Sequence, residues 1–352
     1  MKMLEFMATM RSMFEQSRQE PLTPESRFVF LSDLHMGDRG SRDDFRHNAD
    51  LVVDSLSSHY AANGWKLVLN GDIEELYKFK PKAIRLAYDD LYGIFRGFDA
   101  RGDLVKIVGN HDLAMLLYED HEFKLDHALR LDRPDGAILA FHGHQSYKFF
   151  MKYNYLSDFL VRYIADPLKI RNADIPMTSR RRFKAERRIY RASKELGIVT
   201  IAGHTHRPVF ESFSKYDTLR WSIENLLRRY SSESPEDRQK TEALIAVYAA
   251  EFKLLSRKER KHKVSRSLYE REDILVPCMF NSGCATGKGG YTAIEIDGDM
   301  ISLVYWTKEG LAKPYMERES IACSRLGGTA WMRYTVASDS LEYIMSRARL
   351  LS

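Results

Sequence analysis

Cysteine is scarce in this 352-residue chain: Cys278, Cys284 and Cys323 are all there is, and no two stand in a CxxC pair. That scarcity excludes a thiolate zinc site and a disulfide framework, and the odd count fits a reducing compartment. Long apolar runs are missing too. No window approaches the roughly 18 uninterrupted apolar residues of a membrane span, and no repeat or low-complexity tract suggests a solenoid or a disordered chain. The first twenty residues lack the continuous apolar stretch of a secretory signal. Instead Met3, Phe6, Met7, Met10, Met13 and Phe14 recur at helical spacing. They predict an amphipathic helix within residues 1–26 of a cytoplasmic protein. Its apolar face suits the core or a partner, with peripheral membrane contact the alternative.

What is present is the composition of a soluble globular protein, 44% hydrophobic and 29% charged. The formal net charge of +5 is unevenly placed. Arg180, Arg181, Arg182, Lys184, Arg187, Arg188, Arg191 and Lys194 crowd one segment, and Arg257, Lys258, Arg260, Lys261, Lys263 and Arg266 another. Such runs are either solvated helix faces or contacts for a polyanion, an anionic lipid surface or a phosphorylated substrate.

Between Arg27 and Pro208, five short apolar runs stop abruptly on polar residues: "RFVFLSDLH", "KLVLNGD", "LVKIVGNHD", "AILAFHGH" and "GIVTIAGHTH". Helical stretches around Asn48–Asn63 and Pro81–Arg101 separate the first three, so strand and helix alternate as in an α/β sheet. The carboxyl ends of neighbouring strands in such a sheet open into one crevice. Two stretches break the pattern as helical insertions, residues 145–196 (aromatic, then basic) and residues 212–273. In the second, Ser234-Pro235-Glu236-Asp237 reads as a helix start. Beyond them, "YTAIEIDGDMISLVYW" predicts two strands joined by an Asp-Gly turn, and "SDSLEYIMSRARLL" a capped terminal helix. The expected organisation is a helix in 1–26, a main domain over 27–310 and an extension over 311–352.

The strand ends collect Asp33 and His35, Asp72, Asn110 with His111 and Asp112, His142 with His144, and His204 with His206. All are oxygen or nitrogen donors. They suit Mn²⁺ first, with Fe or Zn²⁺ as alternatives, and they outnumber what one four-coordinate ion can use, so two divalent ions are expected. Unrelated strand caps would have to coincide five times in one order.

That ordered set, "SDLH", "GDIEE", "GNHD", "HGH" and "GHTH", resembles the calcineurin-like metallophosphoesterases. The resemblance covers roughly Arg27 to Pro208 and resumes at "NSGCATGKGGYTAIEI". It implies a sandwich of two mixed β-sheets flanked by helices, with both metals at the strand ends. Carried over by position, Asp33, His35 and His206 would hold one ion, and Asn110, His142 and His204 the other. Asp72 would bridge them, one oxygen to each. Two such cations can share a solvent ligand, lower its pKa toward neutrality and present hydroxide to phosphorus. His111 matches the family's general acid, with Glu75 or Asp112 to orient it. His144, two residues beyond a ligand, would support that ligand or touch substrate.

A bacterial branch that hydrolyses the pyrophosphate of UDP-2,3-diacylglucosamine is also similar, through "GHTHRP" and a helical segment before the fifth motif. That likeness makes residues 145–196 a cap over a lipid-linked or small phosphorylated substrate, with Arg181, Arg182, Arg187 and Arg188 as its contacts. The chain departs from that branch in "GNHD", where the branch has arginine after the asparagine, and in its second insertion. Two other classes remain. A nuclease of the same superfamily would track phosphate backbones with salt-sensitive binding, but no nucleic-acid-binding module is recognisable. A non-catalytic scaffold would not be expected to keep a complete ligand set. The 212–273 helices would face the cap, a membrane surface or a second subunit.

Overall fold

Short apolar runs bounded by glycine, asparagine and aspartate form strands because neither neighbour continues the ladder. The computed structural model describes residues 3–118, 121–146, 179–210, 215–230, 233–262, 276–313, 316–317 and 320–352. In chain order its strands are β1 (Arg18–Pro21), β2 (Arg27–Leu31), β3 (Lys66–Asn70), β4 (Leu104–Ile107), β5 (Leu125–Asp126), β6 (Leu129–Arg133) and β7 (Gly136–Ala140). They continue with β8 (Val199–Ala202), β9 (Met279–Asn281), β10 (Tyr291–Asp297), β11 (Met300–Lys308), β12 (Ala322–Arg325) and β13 (Trp331–Ser340). One sheet has eight strands in the order β12-β13-β11-β10-β2-β3-β4-β5, the other five in the order β1-β6-β7-β8-β9. Both are mixed, and helices flank them, as expected. Within them, β2, β3 and β4 run parallel in the first sheet, and β7, β8 and β9 in the second.

The central strands bury both faces. Val29, Leu31, Leu67 and Leu69 share one core with Leu51, Val52, Leu91 and Phe95 of the neighbouring helices. Phe28, Phe30 and Val68, of opposite parity, are buried as well, which is why these strands read as unbroken apolar runs. The helix expected over Asn48–Asn63 starts as Ala49–Ser55, widens to a π turn over Leu56–Tyr60 and tightens to a 3₁₀ turn over Ala61–Asn63. Gly64, at φ 70°, ends it. The second expected helix is two, Pro81–Ala87 and Asp89–Ala100. Between them Tyr88 leaves helical geometry while its buried hydroxyl donates to Asp43 Oδ2 at 2.5 Å.

The segment set apart as an extension is part of the main body. Residues 311–352 supply β12 and β13 to the large sheet, and a terminal helix, Leu341–Leu351, capped by Ser340 Oγ on the Tyr343 amide. Its Leu341, Ile344, Met345 and Ala348 are buried, an apolar stripe with the i, i+3, i+4, i+7 spacing of an amphipathic helix. Residues 1–26 likewise hold a helix, Met3–Gln16, and also strand β1, paired with β6. Met1–Glu211 and Cys278–Ser352 thus form one compact unit, and Ser212–Pro277 another. The second unit contains the helices Lys215–Tyr230 and Pro235–His262 packed on each other, the latter started by Ser234, whose Oγ accepts from the Asp237 amide. Of the expected cap, residues 147–178 lie outside the described residues; Ser179–Leu196 is helical. Among the described residues, no helix is long and apolar enough to cross a membrane.

Candidate metal centre

The carboxyl ends of three parallel strands in the large sheet and of two in the small sheet supply the site. Asp33 and His35 follow β2, Asp72 follows β3, and Asn110 and His111 follow β4, while His142 follows β7, and His204 and His206 follow β8. The sheets are tied together there. Asn70 Nδ2, at the end of β3, donates to Phe141 O at 3.3 Å, and the Ser32 and Ser282 hydroxyls lie 2.8 Å apart. Five of these residues leave their strands in the left-handed region: Asp33 (φ 55°), His35 (51°), Asp72 (54°), His204 (66°) and His206 (56°). Among the described residues, Arg39 is the one other non-glycine with positive φ. Each such position costs on the order of 1–3 kcal/mol and persists only where its surroundings hold it. Strain concentrated on the predicted ligands marks these loops as built for a purpose other than stability.

Asp33, His35 and His206 offer one compact set of donor atoms, and Asp72, His142 and His204 a second. In the first, His206 Nε2 lies 3.2 Å from Asp33 Oδ1 and 3.1 Å from His35 Nε2. Donors bonded at about 2.1 Å to one ion sit roughly 3.0–3.4 Å apart, so the spacing fits a cation. Asp33 is committed on its other side, where Oδ2 accepts from the His204 amide at 2.9 Å and the Ser32 hydroxyl at 2.5 Å. In the second set, His142 Nδ1 donates to Asn70 O at 2.9 Å, which aims Nε2 at Asp72 Oδ2, 3.1 Å away. Holding one ring nitrogen on a carbonyl is how ligating imidazoles are commonly oriented. Asn110 Oδ1 is buried with no hydrogen-bond partner among the described residues. An acceptor left so is costly unless something electropositive faces it. These residues fit a pair of divalent cations.

Asp72 uses both oxygens: Oδ1 accepts from the His111 amide at 2.8 Å, and Oδ2 lies 3.1 Å from His142 Nε2 and 3.8 Å from His35 Nε2. Room is tight around it: a Cβ on Gly109 would stand 2.1 Å from Asp72 Oδ1, and one on Gly71 2.5 Å from His142 Nδ1.

Electrostatics point the same way. Burial opposes charge on His142 and His206, yet the Asp72 and Asp33 carboxylates outweigh it and push both up to about 9. Burial, with His142 beside it, pushes His204 down to about 3. Ligating imidazoles must be deprotonated, so cation and proton compete. Metal uptake by the metal-free protein should therefore release protons and tighten as pH rises from about 6.5 toward 9. In the same form, the stability from these raised pKa values is full below 6.5 and lost as pH passes about 9. Calorimetric titration with Mn²⁺ in buffers of different ionisation enthalpy measures the release. Heats independent of buffer would contradict it.

Of the two carboxylates expected to compete for His111, Glu75 is in contact. Its Oε1 pairs with His111 Nδ1 at 2.9 Å, and its Oε2 with His35 Nδ1 at 3.2 Å. Asp112 has both oxygens on backbone, accepting from the Ile73 amide at 2.7 Å and the Gly109 amide at 2.6 Å. It ties the loop of Asp72 to the loop of Asn110 and does not orient the imidazole. Burial, then the Glu74 and Asp72 carboxylates, push it up to about 7. His144 is 1% exposed, with its ring 5.5 Å from that of His142 and 6.4 Å from that of His204. Burial holds it well below the ordinary histidine range. Arg187 and Arg188 are half-buried, and Arg188 donates to Ser146 O. The side chains of Arg181 and Arg182 lie outside the described residues.

Two neighbours escaped the sequence reading. The Tyr77 ring meets that of His111 at a tilt, centroids 4.3 Å apart and planes at 42°, and its hydroxyl donates to Asn110 O at 2.7 Å. Its signal was its place two residues past Glu75. Glu186 is fully buried against Thr205 and Arg207. As the one acid between Arg180 and Lys194, it was visible as an exception in a basic run.

No protein-family model and no curated protein matches the chain. Among solved structures it aligns with a predicted phosphoesterase from Streptococcus pneumoniae TIGR4, at 14% identity over 80% of this chain and 89% of that one, with a TM-score of 0.30. It aligns with the E. coli phosphoesterase Yfce at 13% identity, 78% and 91% coverage and a TM-score of 0.30. A single-site mutant of Entamoeba histolytica Vps29 aligns at 12% identity, 81% and 94% coverage and a TM-score of 0.30. Alignments this distant carry no argument about chemistry, and the site stands on its own geometry.

Proposed function

We propose that the chain is a metal-dependent phosphoesterase that hydrolyses a phosphoester or pyrophosphate bond at two divalent cations, Mn²⁺ in the first instance. The observation that carries this reading is Asp72 Oδ2, which belongs to the donor set of His142 and His204 and also lies 3.8 Å from His35 Nε2 of the other set. When bound, such a pair supplies Lewis acidity that neutralises phosphoryl oxygens and brings the pKa of water toward neutrality. Asp33, His35 and His206 would hold one ion, and Asn110, His142 and His204 the other. The protein supplies the remaining chemistry. Glu75 Oε1 accepts a hydrogen bond from His111 Nδ1–H, so the imidazolium would give its Nε2 proton to the leaving oxygen and remain as the neutral Nδ1–H imidazole. Tyr77, tilted against that ring, limits its rotation. The lowered pKa of Glu75, held down against its burial by the two histidines, keeps this carboxylate ionised across the neutral range.

Substrate class is a phosphorylated small molecule or a lipid-linked one. The metal-free protein and the Mn²⁺-loaded protein should be compared on p-nitrophenyl phosphate, bis-p-nitrophenyl phosphate, nucleoside diphosphate-sugars and single-stranded DNA. Metal-dependent cleavage of an ester or pyrophosphate is the expected result. Preference for DNA would favour the nuclease, and no cleavage of any phosphorus ester by loaded protein would overturn the proposal.

A further inference from the structure

The loop that carries His204 and His206 is strained at both histidines, so something outside it must hold its shape. His204 and His206 belong to the two donor sets, while Thr205 and Arg207 turn to the opposite side and meet one carboxylate, Glu186. Thr205 Oγ1 donates to Glu186 Oε1 at 2.7 Å. Arg207 grips the same carboxylate with Nε on Oε1 at 3.1 Å and Nη2 on Oε2. Glu186 is 0% exposed and comes from the helix Ser179–Leu196, which packs on β8 and β9, with Ser193 Oγ 2.9 Å from Thr200 Oγ1 of β8.

The contact continues beyond that helix. Asn281, the last residue of β9, donates from Nδ2 to Gly203 O at 2.6 Å and to Thr205 Oγ1 at 3.2 Å, and its Oδ1 accepts from the Gly283 amide at 2.9 Å. A hydrogen-bond chain thus runs from the loop after β9 through Asn281 and Thr205 to Glu186, and Arg207 closes it from the far side. Linked hydrogen bonds in a buried site reinforce one another, and a buried carboxylate without partners is costly. The loop therefore has one favourable register, with residues 205 and 207 on Glu186. The left-handed backbone at His204 and His206 belongs to that register, and it leaves their imidazoles in the donor sets while residues 205 and 207 stay on Glu186.

We infer that Glu186 is a positioning residue for the metal centre: it holds Thr205 and Arg207, and through them fixes the two imidazoles that serve one cation each. It touches neither cation nor substrate. The inference rests on the proposed two-cation reading, and it also gives the basic helix a role that charge alone does not.

The test is Mn²⁺ binding by calorimetry with thermal melting of the metal-free proteins, on wild type, Glu186→Gln, Glu186→Ala and the double variant Thr205→Val/Arg207→Ala. Glu186→Ala should weaken Mn²⁺ binding by on the order of tenfold or more. Glu186→Gln, which keeps an acceptor for Thr205, should fall between it and wild type. The double variant breaks the same contacts from the loop side and should match Glu186→Ala, which keeps the test available if that variant does not fold. Saturating Mn²⁺ should return kcat toward wild type, since the ligands themselves are intact, and a role confined to holding the helix in place would not respond to metal. Unchanged Mn²⁺ affinity in the folded variants, beside a wild type that binds, overturns the inference. A wild type that binds no Mn²⁺ defeats the two-cation reading instead.

Discussion

Replacing Asp72 with asparagine should remove both metals and with them all phosphoesterase activity. Asparagine keeps an acceptor for the His111 amide, so the loop contact at 2.8 Å has a substitute. What it loses is the negative charge on the one oxygen that lies near His142 Nε2 and His35 Nε2 together. Two cations on either side of a neutral amide repel each other with nothing between to offset it. The folded metal-free protein, by contrast, should survive, because the buried charge removed is itself a desolvation cost. Metal analysis after gel filtration, beside a melting curve of the metal-free form, separates the two effects. Retention of both ions, or of more than a tenth of wild-type kcat, would show that Asp72 is not the bridge.

The second large effect is expected at His111. His111→Ala should keep both metals and lower kcat by about 10²–10⁴ for substrates with poor leaving groups, the usual worth of a general acid. Aryl phosphates with good leaving groups need less protonation and should suffer less. Glu75→Gln should behave differently, because its carboxylate pairs with His111 at 2.9 Å and with His35 at 3.2 Å. It should lower kcat and metal affinity together. Steady-state kinetics at saturating Mn²⁺ distinguishes the cases, and a His111→Ala defect that disappears with added metal would make His111 a ligand support.

The sequence made the donors legible because each stands where a buried strand stops, and burial leaves a polar side chain there no ordinary purpose. The Asp-Gly turn joining β10 to β11 was legible for a local reason, the positive φ of Gly298. Other features depend on contacts that no local pattern encodes. That one oxygen of Asp72 is held by the amide of His111, 39 residues away, is such a contact. That Glu75 and not Asp112 faces the imidazole follows from where the Ile73 and Gly109 amides point. Glu186 looked like one more charge on a solvated helix until the helix was laid on β8 and β9. Residues 311–352 looked like an appendage because β13 alternates weakly, with most of its side chains only half-buried. Its membership of the sheet is decided by pairing with β11.

The account's central claim is that the two donor sets each hold a cation and share Asp72. Crystals of the protein grown with saturating Mn²⁺ and measured on both sides of the manganese absorption edge test it directly. Two anomalous peaks per chain, one among Asp33, His35 and His206 and one among Asn110, His142 and His204, with Asp72 Oδ2 between them, are the predicted result. A single peak, or two peaks with Asp72 contacting only one, would contradict it.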